Sequence, residues 1–200
     1  MLPEWLRFER RDVEKAIAFI VIGVVGRLLL LDYANIEPVL ALSLLAGMVL
    51  PLALAAIVPV AMMAITDYII YAYQLKGSYG LASILGLTFF VYTGFLMATL
   101  IGRRLRNRYA LRIKNMGIIT FSGVIATLVF DLWTDLGVWY FFTKHTLYDA
   151  QVVLVGQVSF TLVHIASTII FVPLFGSGYL LLTEHRAELD LPSTQPAPND

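Results

Sequence analysis

Between residues 15 and 182 the chain consists of apolar runs, each about as long as a bilayer is thick, and few folds remain open to such a sequence. A helix needs ~20 consecutive apolar residues to cross the hydrocarbon core. Its backbone polar groups must then be satisfied within the segment, because lipid offers them no partner. The composition agrees: 59% of the residues are hydrophobic and only 14% are charged, whereas a soluble domain carries roughly a quarter charged residues. The chain therefore reads as an integral membrane protein. It has no cysteine, which excludes a disulfide framework and a thiolate metal site. No cleavable signal peptide is evident. The start is charged, with Arg7, Glu9, Arg10 and Arg11 close behind Trp5, and the first apolar run lacks a small-residue cleavage site.

Punctuation by Pro, Gly and charge divides the sequence into six helices. Residues 1–14 read as a short amphipathic segment on the membrane surface, with Trp5, Leu6 and Phe8 inserted. The first span covers 15–31. Pro38 opens a second helix, at a position where its missing N–H costs nothing, and that helix ends near Leu50. It is short for a span, which predicts tilt or burial against its neighbours. A third helix follows over 52–73. One long helix bent at Pro51 is the competing count, and it leaves five spans. The fourth covers 81–102, with a ridge of small residues at Ala82, Gly86, Gly94, Ala98 and Gly102 that suits close packing between helices. The fifth covers 113–130, an outer loop is expected over 141–149, and the last helix starts near Val152. The three regions are thus a cytoplasmic segment (1–14), a six-helix transmembrane domain (15–183) and a disordered cytoplasmic tail (184–200).

Charge sets the orientation. If the N-terminus is inside, the inner segments contain Arg7, Arg10, Arg11 and Lys15, then Arg103, Arg104, Arg106, Arg108, Arg112 and Lys114, then Arg186. The outer segments contain Lys76 and Lys144 alone. Basic residues accumulate on the cytoplasmic side of membrane proteins. Both termini are therefore expected inside, in a prokaryotic cell membrane. The basic cluster lies between two apolar helices, so nucleic acid is not an expected partner.

Within or near the outer half lie Arg27, Asp32, Asn35, Asp67, Tyr71, Trp133, Asp135, Trp139 and His145, with Asp131 slightly deeper. The stretch 131–140, DLWTDLGVWY, is too polar to face lipid and rich in rings that favour the interface. A charge at membrane depth is costly unless it is paired, solvated or used. Arg27 reads either as a snorkelling side chain or as a buried cation paired with a carboxylate. His164, alone among apolar neighbours, reads first as a histidine bonded to an adjacent helix. There is no HExxH, GxSxG or Walker A pattern, so an enzyme is not expected, and neither is a cofactor or metal.

Three stretches carry a resemblance: NIEPVLALSLLAG (35–47), PVAMMAITDYIIY (59–71) and TDLGVWYFF (134–142). Together with the helix order they resemble the substrate-binding S component of energy-coupling factor transporters, in an uncharacterised bacterial and archaeal branch. That branch has Asn where this chain has Asp135. The first helix also lacks the Ala-x-x-x-Ala motif that many S components use for docking. The resemblance implies capture of a small vitamin-like molecule from outside, and partners in a transmembrane coupling subunit and two ATPases. The expected substrate site comprises Arg27, Asn35, Asp67, Trp133, Asp135, Trp139, Tyr140 and His145, with the tryptophans and Tyr140 stacking on a planar ligand. The alternatives are a membrane scaffold or assembly subunit without substrate, and a proton- or metal-coupled channel using Asp131, Asp135 and His164.

Overall fold

The computed structural model describes residues 8–73 and 81–189. Over these the chain folds into six α-helices: α1 (Arg10–Leu29), α2 (Val39–Val49), α3 (Leu52–Tyr73), α4 (Leu81–Arg106), α5 (Met116–Phe142) and α6 (Leu147–Leu189). A short 3-10 turn, Ile113–Asn115, precedes α5. Four stretches are long and apolar enough to cross a membrane: Leu52–Ile70, Ala82–Arg106, Ile113–Phe142 and Leu147–Thr183. The outer surface is apolar as well. Phe121, Ile125, Leu128, Leu132 and Leu136 form an exposed stripe along α5. An apolar stripe of that length is an aggregation liability in water and an ordinary lipid-facing surface in a membrane.

The side-chain pairings give each helix its direction. Arg27, at the end of α1, meets Glu37 just before α2 and Asp67 near the end of α3. At the opposite end, Arg103 and Arg106 in the last turn of α4 both reach the Leu50 carbonyl just after α2. Successive helices therefore alternate in direction, and the chain reverses at Leu50–Pro51 instead of bending there. Along α4 and α5, Thr93 bonds Trp133 while the Gly86 backbone lies against Phe141. Along α5 and α6, Thr127 bonds Thr168 and Asp131 bonds His164. Both pairs are antiparallel.

The centre of the bundle is α2. Every residue from Val39 to Met48 is buried, Ser43 included. Eleven residues rise only about 16 Å, roughly half the hydrocarbon thickness. The helix tolerates this because it is enclosed by protein. Burial of apolar side chains adds little drive where lipid is the alternative, so close backbone approach must hold the core together. Two glycines provide it. A Cβ at Gly102 would lie 2.0 Å from the Leu44 carbonyl oxygen, and one at Gly47 would lie 2.0 Å from that of Thr99. The small-residue ridge of α4 thus serves packing within the chain, with Gly94 against the Phe130 ring and Gly102 against α2.

Several boundaries differ from the sequence reading. Helix α5 does not stop at Phe130 but continues through 131–140 to Phe142. The outer loop shrinks to residues 143–146, and α6 begins at Leu147. The fourth helix runs past Gly102 to Arg106, and α6 continues to Leu189 where a disordered tail was expected. Helical structure starts at Arg10, within the segment expected to lie on the surface; residues 1–7, and with them Trp5, fall outside the described residues. Lys76 does too, as does the side chain of Tyr71.

Candidate functional site

The eight residues expected at one mouth fall into separate groups. The first surrounds Arg27. Its Nη1 donates to Asp67 Oδ1 at 2.7 Å and to the Thr66 hydroxyl, and its Nε donates to Glu37 Oε2 at 3.2 Å. Tyr92 of α4 lies within electrostatic reach of Asp67 and Arg27. Arg27 is thus a paired cation facing the bundle, and snorkelling is excluded by these contacts. Its guanidinium links the end of α1, the entrance to α2 and the C-terminal part of α3. Asn35 lies in the connection just before Glu37 with a φ of 61°, a left-handed conformation that Asn adopts more readily than most residues.

The second group is the turn between α5 and α6. Trp139 Nε1 donates to the Thr146 carbonyl at 3.1 Å. His145 has a φ of 63°, and its ring stacks on Tyr140 with centroids 5.3 Å apart. Its Nε2 lies 2.5 Å from the Tyr140 carbonyl oxygen. A carbonyl only accepts, so that nitrogen carries the proton, and His145 supplies a donor to a carbonyl at the end of α5. Trp133 lies elsewhere, on the α4 side: its Nε1 donates to Thr93 at 2.8 Å and its ring packs on Phe90 at 4.7 Å. These aromatic residues are engaged with their own surroundings.

The third group lies between α5 and α6. His164 Nδ1 is 2.8 Å from Asp131 Oδ1, and the two side chains are 3% and 10% exposed. The edge-on ring of Phe130 lies beside the imidazole, 5.5 Å between centroids. Asp131 Oδ2 and His164 Nε2 are buried with no hydrogen-bond partner among the described residues. Asp135, one turn further along the same face, is 8% exposed and has no hydrogen bond among the described residues. A buried polar group left unpaired costs about 1–3 kcal/mol, and more when charged. The Asp131 carboxylate and the His164 imidazole thus each lack one partner among the described residues, with the Asp135 carboxylate one turn away. A carboxylate oxygen accepts, so the partner that Asp131 Oδ2 lacks is an N–H or O–H group. Among the described residues no three His, Cys, Asp or Glu side chains are gathered as a metal ion would need.

Glu37 ties the first and third groups together. Its carboxylate holds Arg27, while its backbone N–H and carbonyl both bond the Ser167 hydroxyl at 3.2 Å, one turn along α6 from His164. Sequence reasoning passed over Glu37 because it precedes Pro38 and reads as turn punctuation. Tyr92 and Ser167 were missed as well, since a lone hydroxyl in an apolar run carries no local signal. His164 behaves as its sequence context suggested, bonded to the adjacent helix.

No curated protein and no solved structure matches the chain. Residues 9–192, nearly its whole length, match the family described as a family of unknown function (DUF6580), and the chain belongs to that family.

Proposed function

We propose that the protein is the solute-binding subunit of a membrane transporter, similar in role to the S components that its sequence resembles. It crosses the membrane six times with both termini inside, and it takes a small polar, vitamin-like molecule from the outer side. The observation that carries the reading is the Asp131–His164 pair with Asp135 beside it, buried and under-bonded at membrane depth. Ionisable groups in that position are expensive to keep, and they mark sites where something passes or binds. The Arg27, Asp67 and Glu37 network is joined to it through the Glu37–Ser167 contact, and Trp139, Tyr140 and His145 stand at the end of α5 beyond Asp135. The sequence lacks a phosphate-cradling loop, so uptake against a gradient draws on a transmembrane coupling subunit and ATPases as partners.

The test is ligand-dependent thermal stabilisation of the purified chain against a panel of vitamin-sized planar solutes with N–H or O–H groups. A ligand at a hundred times its Kd stabilises the folded state by about 2.7 kcal/mol. Asp135→Asn breaks no hydrogen bond among the described residues and removes a charge lodged near Asp131. It should raise the stability of the empty protein while weakening binding at least tenfold. Trp139→Phe should leave affinity within about twofold. If no solute shifts the transition and Asp135→Asn changes nothing beyond stability, the scaffold reading replaces this one.

A further inference from the structure

The connection from α4 to α5 holds charge that no acid offsets. Between Asp67 and Asp131 the sequence has no Asp or Glu, while residues 103–114 contain Arg103, Arg104, Arg106, Arg108, Arg112 and Lys114. None of the six forms an ion pair among the described residues. The two acids of α1 are engaged with that helix's own cations, Glu14 with Arg10 at 3.0 Å and Asp12 with Lys15 at 3.8 Å. Arg103 and Arg106 donate to one and the same carbonyl oxygen, that of Leu50, at 3.4 Å and 3.0 Å, so two like charges are held side by side. The carbonyl end of α2 offsets part of that repulsion. The side chains of Arg104, Arg108, Arg112 and Lys114 are exposed and make no hydrogen bond among the described residues.

The local fold explains why they face outward. Past Arg106 the backbone N–H groups of Arg108 and Tyr109 both bond the Leu105 carbonyl and turn the chain. Tyr109 and Leu111 then pack against the core, and their neighbours in this extended stretch, Arg108, Ala110 and Arg112, take the other side. Asn115 Nδ2 donates to the Ala110 carbonyl at 2.8 Å and pins the stretch to the start of α5. The cations thus stand on a fixed ledge. Ile113, between Arg112 and Lys114, is 64% exposed, and the exposed apolar side chains Ile118 and Phe121 of α5 follow it.

Orienting the chain in the membrane requires basic residues at this end. It requires neither a pinned stretch nor an exposed isoleucine among the charges. A free anion has no use for that isoleucine, whereas a phospholipid presents its phosphate and its acyl chain next to each other, in the order of Arg112, Ile113 and the α5 stripe. We propose that the α4–α5 ledge binds anionic phospholipids of the leaflet at this end, their phosphates against Arg104, Arg108, Arg112 and Lys114, with Ile113 set among the first acyl carbons. An anionic membrane surface attracts each nearby basic residue with a modest, additive free energy. The proposal is independent of the solute reading, because none of these residues belongs to the groups around Arg27, His145 or His164.

The experiment uses the full chain in a non-ionic detergent. Binding is titrated by native mass spectrometry with dioleoyl phosphatidylglycerol, dioleoyl phosphatidylcholine, glycerol phosphate alone, and a peptide of six glutamates. Phosphatidylglycerol should bind at least tenfold more tightly than the other three. Arg112→Gln should weaken its binding about fivefold, and the triple change Arg108→Gln, Arg112→Gln and Lys114→Gln on the order of 100-fold. These variants leave the Arg103 and Arg106 contacts with Leu50 in place. Arg10→Gln, a cation already paired with Glu14, should change binding less than twofold. Ile113→Ser keeps every charge and should weaken binding on the order of fivefold, because it withdraws the apolar contact. If the triple variant does not fold, Arg112→Gln and Ile113→Ser decide. Equal binding of the two lipids would overturn the proposal, as would a loss from Arg10→Gln as large as that from Arg112→Gln. Glycerol phosphate or the glutamate peptide binding as tightly as phosphatidylglycerol, with Ile113→Ser harmless, would overturn it too and assign the ledge to a free anion or to an acidic protein.

Discussion

Removing Arg27 should harm the protein more than removing the carboxylate it bonds most closely. At 2.7 Å, and with an effective dielectric of about 20, the Arg27–Asp67 attraction is about 6 kcal/mol before any desolvation is counted. Desolvation takes back several kcal/mol for each ion, so the intact pair is worth far less than that. The cost of breaking it depends on what is left. Arg27→Met leaves Glu37 and Asp67, 21% and 35% exposed, with no cation between them; the expected loss is about 3–4 kcal/mol, toward the range for a stranded buried charge. Asp67→Asn leaves Arg27 still bonded to Glu37 at 3.2 Å. Its position is also open enough for water, so about 1–2 kcal/mol is expected, discounted for that exposure. The double variant should be milder than the sum of the two singles by about 1–2 kcal/mol, since both act on one contact. Equilibrium unfolding from mixed micelles, followed by circular dichroism, measures all three. Additivity within about 0.5 kcal/mol would show that the two groups do not act together, and a larger loss from Asp67→Asn than from Arg27→Met would refute the role given to Glu37.

Two further outcomes test the fold. Gly102→Ala and Gly47→Ala each drive a methyl to within 2.0 Å of a backbone carbonyl oxygen across the α2–α4 contact; each should cost more than ~3 kcal/mol or prevent folding, while Gly117→Ala, with nothing within 4 Å of its Cβ, should be neutral or slightly stabilising in a thermal melt. In intact cells an impermeant thiol reagent should label Ser78→Cys and spare Asn107→Cys in this cysteine-free chain; the reverse pattern would invert the topology and place the solute site on the inner side.

The helices were legible because membrane spans are written in long apolar runs, and Pro38, Pro51 and the basic run 103–114 punctuate them. The Arg27–Asp67 contact was legible too, because a lone charge at depth demands a partner and each falls toward the C-terminal end of its helix. The course of α5 was not. Residues 131–140 look like a polar mouth when read linearly, but on a helix their polarity divides: Asp131 and Asp135, four apart, take one face, while Trp133 turns to Phe90 and Thr93 of α4. Trp133 and Asp135 therefore do not share a surface.

The connection from α1 to α2 gives the two polar clusters a common part. Glu37 bonds Arg27 through its carboxylate and, through its backbone, Ser167, one turn along α6 from His164. The helix that follows it, α2, is rigid for a plain reason: all but one of its eleven residues are buried, and two glycine contacts clamp it to α4. A displacement of Glu37 cannot be absorbed by α2 and must be taken up by the residues before it, where Asn35 already holds a left-handed φ. Any solute that draws His164 or Asp131 toward itself acts on α6 one turn from Ser167, and through Ser167 on Glu37 and the Arg27 network. The binding reading thus implies that Glu37→Gln, which breaks no hydrogen bond to Asp131 or His164, should change solute affinity without changing which solute is preferred. A structural role confined to the Arg27 pair would lower stability in the same variant and leave affinity where it was, so measuring both in one titration separates the two.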